Sequence, residues 1–161
     1  MKRSYLVLGS VALAALGLAY LVTLPTETAE ASITLKPNEP AVVSLGKKVY
    51  AQNCASCHGV ALEGQANWRQ RGNDGYMPAP PHDETGHTWH HPDTYLFLMT
   101  KYGIEKMIRK TYPNNMPAYE DELSDDEIIA VLSFIKSTWP ITVKHQHDQK
   151  NARSNASSKR S

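Results

Sequence analysis

Hydrophobic and polar positions change character four times along this chain of 161 residues. From Tyr5 to Leu24 the side chains are almost all apolar, with Ser10 and Thr23 the clear exceptions and no charge. Twenty such residues in a helix span about 30 Å, the thickness of a hydrocarbon core. From Pro25 to Val43 no amphipathic period is kept, and Pro25, Pro37 and Pro40 interrupt the segment, which reads as a linker. Between Ser44 and Ile141 helical spacing returns in three places. Ser44 is a candidate N-cap for a first helix that carries Leu45, Val49 and Tyr50 inward and leaves Lys47 and Lys48 in water. Pro92 and Asp93 open a second, with Tyr95, Leu96, Leu98, Met99 and Tyr102 as apolar mass and Gly103 at its end. The third is the most regular: Ser124 and Glu127 fit a capping box, Ile128, Val131, Leu132, Ile135 and Trp139 recur at helical spacing, and Pro140 stops the run. No alternating segment and no Asn-Gly hairpin competes, so the expected class is all-α.

Charge sharpens the boundaries. Residues 27–141 hold 10 Lys and Arg against 15 Asp and Glu, a net −5, whereas residues 142–161 hold 5 against 1, a net +4. The near-neutral total therefore hides an acidic domain and a basic tail. The tail is rich in Ser, Asn, Lys and Arg and too poor in apolar surface to offset its ordering entropy, which predicts disorder from 142 to 161. Lys2 and Arg3 precede the apolar run and Glu27 and Glu30 follow it, so the positive-inside bias puts the domain outside the cytoplasmic membrane. Ala29-Glu30-Ala31 fits a cleavage site, but an apolar run this long favours a retained single-pass anchor over residues 1–24.

The chemistry is concentrated in Cys54-Ala55-Ser56-Cys57-His58, which contains both cysteines of the chain. Two thiols two residues apart can each add to a vinyl group of one porphyrin, and the adjoining histidine is carried beneath the ring to ligate iron. The motif predicts one covalent haem c. A dithiol redox motif expects a βαβ pattern, a zinc site expects a second ligand pair, and a disulfide gives no reason for the histidine.

A short helix leading into this motif, a long irregular middle, a Met-Pro and a terminal amphipathic helix ending in Trp resemble class I cytochrome c over Ser44 to Pro140. The resemblance implies a fold whose first and last helices cross beside the haem, with Leu45 and Val49 against Leu132 and Ile135. It also implies a second axial ligand, for which Met116 in Asn114-Asn115-Met116-Pro117 is the best placed of the five methionines; Met77-Pro78 is the runner-up. In many members a proline about a dozen residues after the histidine accepts from its Nδ1-H, but that spacing here falls on Gln70, so Pro78, Pro80 or Pro81 must serve. Trp68, Arg69, Arg71 and Trp89 are candidate propionate partners.

With both axial positions filled, the resemblance implies a single-electron carrier rather than an enzyme, working between redox or respiratory partners outside the inner membrane and without nucleic acid. Six of the eight residues from Glu120 to Glu127 are acidic and suit a basic partner surface, apart from those serving the helix N-terminus. Four of seven histidines, His82, His87, His90 and His91, fall within ten residues. Hydrogen bonding within the loop or at the haem rim is the expected role, ahead of a copper or zinc site with Asp83 or an axial haem ligand in place of Met116. They also keep two alternatives open: a haem sensor or enzyme with a labile sixth ligand, and a metal-handling protein that uses this loop.

Overall fold

The computed structural model describes residues 33–160, so the apolar run at 5–24 and the anchor expected there lie outside the described residues. Among the described residues the regular structure is all helical, and no helix is long and apolar enough to cross a membrane. Two crossed helices build the centre. Helix α1 (Pro40–Asn53) starts four residues before the expected Ser44, with Pro40 in its first turn. A proline there loses no intrahelical bond and arrives with its φ already helical, so what reads as a linker breaker is a helix starter. The residues before it also belong to the domain. Leu35 is buried, its N–H donates to the Asp93 carboxylate at 2.9 Å, and the N–H of Lys36 donates to Ser133 Oγ at 2.8 Å. The linker boundary at 43 therefore moves back to at least Ile33.

The buried face of α1 is Gly46, Val49 and Tyr50, whereas Leu45 is 41% exposed. That corrects the expected inward Leu45: at about 100° per residue it lies beside the contact stripe and not on it. The stripe packs on the helix following a short connector helix, a ten-residue helix and a loop: after α2 (Ala55–His58) come α3 (Asp93–Tyr102), α4 (Ile104–Ile108), α5 (Asp125–Thr138) and α6 (Ile141–Ser158). Helix α5 is the main partner of α1 and begins as the sequence predicts. Ser124 Oγ accepts from the N–H of Glu127 while the Glu127 carboxylate accepts from the Ser124 N–H. The Ser124 N–H and then its hydroxyl, both donating to that carboxylate, hold the Glu127 carboxyl below its usual range. Ile128, Val131, Leu132 and Ile135 are buried on its inner face, and Trp139 is buried at its end. The two helices meet at Gly46, where even a Cβ would collide with the carbonyl of Ala130.

Helix α6 overturns the disordered tail expected from 142 to 161. Apolar burial is scarce there, and polar complementarity replaces it. His147 is fully buried and donates from Nε2 to the His91 carbonyl at 2.9 Å. Asn151 exchanges two bonds with Asp93, at 2.7 and 2.9 Å. Lys136, buried on α5, reaches Asp148 at 2.6 Å. Positions 147, 148 and 151 share one side of a helix through i, i+3 and i, i+4 spacing, so three polar anchors dock a segment that composition alone leaves unfolded.

Candidate haem site

The site grows out of the C-terminal end of α1. Cys54 ends that helix, with its N–H on the Tyr50 carbonyl at 2.9 Å, and α2 follows at once. Within this single turn the N–H groups of Cys57 and His58 both donate to the Cys54 carbonyl, at 3.1 and 2.9 Å. The two thiols and the imidazole are thereby held by one hydrogen-bonded turn. Gly59 closes it with φ of 81° and its N–H on the Ala55 carbonyl, a conformation that side-chain-bearing residues rarely adopt. Tyr50 locks the same turn from below, donating from its hydroxyl to the Gly59 carbonyl at 2.8 Å. Burial, followed by the charge of Cys54, pushes the Tyr50 phenol far above its ordinary value, so it remains a donor.

The two cysteines are not joined in a disulfide; Cys57 is exposed and Cys54 half-buried. Burial and then the neighbouring Cys57 push the Cys54 thiol up to about 11. Dithiol oxidoreductases need the opposite shift, because the thiolate is the attacking species. His58 is buried, and its Nδ1 lies 2.8 Å from the Pro80 carbonyl. A carbonyl only accepts, so Nδ1 carries the proton and Nε2 keeps its lone pair. Burial lowers the His58 pKa, against the smaller opposing effect of that bond. A neutral imidazole with Nε2 bare is the form that binds a metal. These residues fit haem c: two thiols on one turn, beside an imidazole whose outer nitrogen is already engaged.

Of the three candidate prolines, Pro80 supplies the carbonyl. Met116 lies in the extended segment before α5, its N–H on Asn114 Oδ1 at 3.0 Å, and lines a cleft with Tyr76, Tyr102 and Ala118. Three residues on, the Tyr119 hydroxyl donates to the Asn53 carbonyl at 2.8 Å, tying this segment to the residue just before Cys54. Burial, then the charge of Cys54, pushes the Tyr119 phenol up to about 12. Sequence reading placed Tyr50 on the inward face of the first helix but not on the haem turn, and it gave Tyr119 no role. The available signal is that both are tyrosines within ten residues of a proposed ligand.

The proposed propionate partners all have protein partners. The Arg69 guanidinium lies 4.0 Å over the Trp68 ring, Arg71 donates to the Gly75 carbonyl at 2.8 Å, and Trp89 Nε1 donates to the Glu84 carbonyl at 3.2 Å. The histidine-rich loop is spread out in aromatic contacts. His82 stacks on His58, His87 on Trp68 and His91 on Tyr95. Among the described residues no group of three or more His, Cys, Asp or Glu is arranged to hold a metal ion. Part of the acidic run is also used internally: Glu120 pairs with Lys106 and Asp125 with Lys101.

A 33-residue stretch, 20% of the chain, is 52% identical to the "Cbb3-type cytochrome c oxidase subunit FixP" of Sinorhizobium medicae. The FixP of Rhizobium meliloti gives the same values. The match covers 11% of each of those relatives, so the likeness spans about a tenth of their length. No solved structure matches the chain. The family model for Cytochrome c matches residues 43–139, more than half of the chain and all but the first three residues of the region from α1 to Trp139. With a turn that presents two thiols and a neutral imidazole at its centre, the chain belongs to the cytochrome c family.

Proposed function

We propose that the protein is a single-electron carrier with one haem c attached through Cys54 and Cys57, His58 as proximal ligand and Met116 as the second axial ligand. The observation that carries this reading is the engaged Nδ1 of His58, 2.8 Å from the Pro80 carbonyl, which leaves Nε2 as a fixed donor. Haem c supplies a one-electron Fe(II)/Fe(III) couple. His58 orients its lone pair through Pro80, and the Tyr50 hydroxyl keeps the turn beneath it from opening. Met116 contributes a thioether, which favours the reduced iron more than imidazole does and raises the potential. Tyr119 supports this role by tying the Met116 segment to Asn53. Exposure of Val60, 86%, two residues past His58, supports electron exchange at this edge of the domain.

Replacing Met116 by alanine is expected to abolish the weak far-red charge-transfer band of thioether-bound ferric iron and to admit CO rapidly to the ferrous protein. A band that survives the substitution removes Met116 from the assignment. Rapid CO binding by the unaltered protein would instead favour a sensor or enzyme.

The likeness to FixP, named as an oxidase subunit, supports a respiratory setting in which the carrier passes electrons between membrane redox complexes. We place the domain outside the cytoplasmic membrane, tethered by residues 5–24, on the length of the apolar run and the charges flanking it. The intact mass of protein extracted from membranes is expected to equal that of the full chain plus haem. Loss of the first 31 residues would replace the anchor with a cleaved signal.

A further inference from the structure

We propose that His82 is a positioning residue for the axial ligand: its imidazole, lying flat on the ring of His58, fixes the plane in which His58 presents Nε2. This rests on the proximal role assigned to His58 above. The two ring centroids are 4.0 Å apart and the planes differ by 22°.

The need for such a contact follows from geometry. A ligating histidine would be held at Nδ1 by a hydrogen bond, at Nε2 by a metal and at Cγ by its own Cβ, and all three anchors lie in the plane of its ring. None of them presses on its face, so small turns about the Cβ–Cγ bond are opposed only by bending of the hydrogen bond and of the metal bond. A group against the face of the ring opposes those turns directly. His82 is such a group, and it is itself held on several sides. Its Nδ1 is hydrogen-bonded to Thr88 Oγ1 at 2.8 Å, and Thr88 is buried. Its N–H donates to the Leu62 carbonyl at 2.8 Å, and its carbonyl accepts from Trp139 Nε1 at 2.7 Å. The Tyr50 ring meets it edge-on, with centroids 6.3 Å apart and planes at 72°.

The same short segment supplies both constraints. Pro80 accepts from Nδ1 and His82, two residues on, covers the face, with Pro81 between them restricting the backbone. Trp139 couples this segment to the end of α5, so the plane of the ligand is referenced to the helix pair that forms the core. A flat side chain is required for the contact, and an imidazole adds the tether to Thr88 that a purely apolar ring lacks.

The ferric holoprotein with cyanide in the sixth position provides the test, because the spread of its four haem-methyl proton resonances then reports the plane of the histidine alone. Met116 is displaced in that state and has no influence on the result. His82→Ala is expected to change the order of the four methyl resonances, while His82→Phe, which keeps a flat face, retains the parent's order. Thr88→Val is expected to shift the resonances in the same direction as the alanine variant, and less far. An unchanged order in His82→Ala overturns the proposal, as does a His82→Phe pattern displaced as far as that of alanine. If the alanine variant does not assemble with haem, His82→Leu, which fills the space without a flat face, takes its place with the same two outcomes. A His58→Ala protein that keeps the parent's pattern would remove the ligand assignment itself. A pattern lost in His58→Ala but kept in His82→Ala removes the stacking role alone.

Discussion

Replacing Gly46 by alanine is expected to lower the stability of the folded domain by about 2–4 kcal/mol, although alanine is the better helix former by about 1 kcal/mol. A Cβ at this position would overlap the carbonyl oxygen of Ala130 and lie 2.9 Å from Cβ of Phe134. The overlapping atom belongs to the backbone, so no rotamer change relieves it. Helices α1 and α5 must separate instead, and every contact along their crossing is loosened together, including those of Val49, Ile128 and Leu132. Against a total stability of about 5–15 kcal/mol for a domain of this kind, such a loss is large. It is read as a fall in the urea midpoint of the holoprotein, followed by circular dichroism. Lys47→Ala, one residue along on the exposed side of α1, is expected to stay within about 0.5 kcal/mol of the parent. A Gly46→Ala midpoint at or above the parent's would mean that α1 and α5 do not meet backbone to backbone at this residue.

That crossing also shows what the sequence made legible and what it did not. The helix of Ile128, Val131, Leu132 and Ile135 was readable from helical spacing behind a capping box, and its pairing with the first helix from the resemblance to cytochrome c. The contact point on α1 was not, because the residue that matters there is a glycine, and hydrophobic periodicity carries no signal for a side chain that must be absent. Leu45 attracted the inward assignment by its chemistry, while Gly46 beside it took the position. The haem motif was legible in full, since its spacing is dictated by covalent chemistry. Its supports, Tyr50, Pro80 with His82, and Tyr119, come from three places in the chain and meet only after folding. Pro80 was anticipated as one of three candidates, because a general need for an acceptor at Nδ1 directs attention to downstream prolines; Tyr50 was anticipated only as an inward residue of the first helix, and His82 only as one of a cluster of hydrogen-bonding histidines. The segment after Pro140 was misread for the converse reason. Apolar content is the usual currency of order, and α6 is held mainly by matched polar groups that composition counts as solvating.

Those polar groups converge on Asp93, and Asp93→Ala is expected to release α6 and the strap around Leu35 together, at a cost of about 2–5 kcal/mol. The carboxylate is buried at the first turn of α3, where the helix dipole favours negative charge. It accepts from the Leu35 N–H and from Asn151 Nδ2, both at 2.9 Å, and lies 3.5 Å from His147 Nε2. Alanine leaves one buried donor, the Leu35 N–H, and one partly buried donor, Asn151 Nδ2, without their acceptor, and each such loss costs up to about 1–3 kcal/mol. Amide hydrogen exchange locates the effect: residues 33–36 and 141–151 are expected to lose protection, while α1 and the buried face of α5 keep most of theirs. Protection unchanged in α6 would show that Lys136–Asp148 and the His147–His91 bond hold the helix without Asp93. Acid should imitate the substitution in α6. Burial, and after it the Lys136 charge, holds His147 below its ordinary pKa of 6.5, against the opposing effects of Asp93, the His91 carbonyl and Asp148. A released tail therefore binds a proton that the docked tail resists. Docking is at full strength above about pH 6.5 and weakens as the pH falls from there toward the depressed pKa, below which the loss stops growing. His147→Gln, which cannot take up the proton, is expected to remove this acid-dependent part of the exchange in α6 and leave the effect of Asp93→Ala in place.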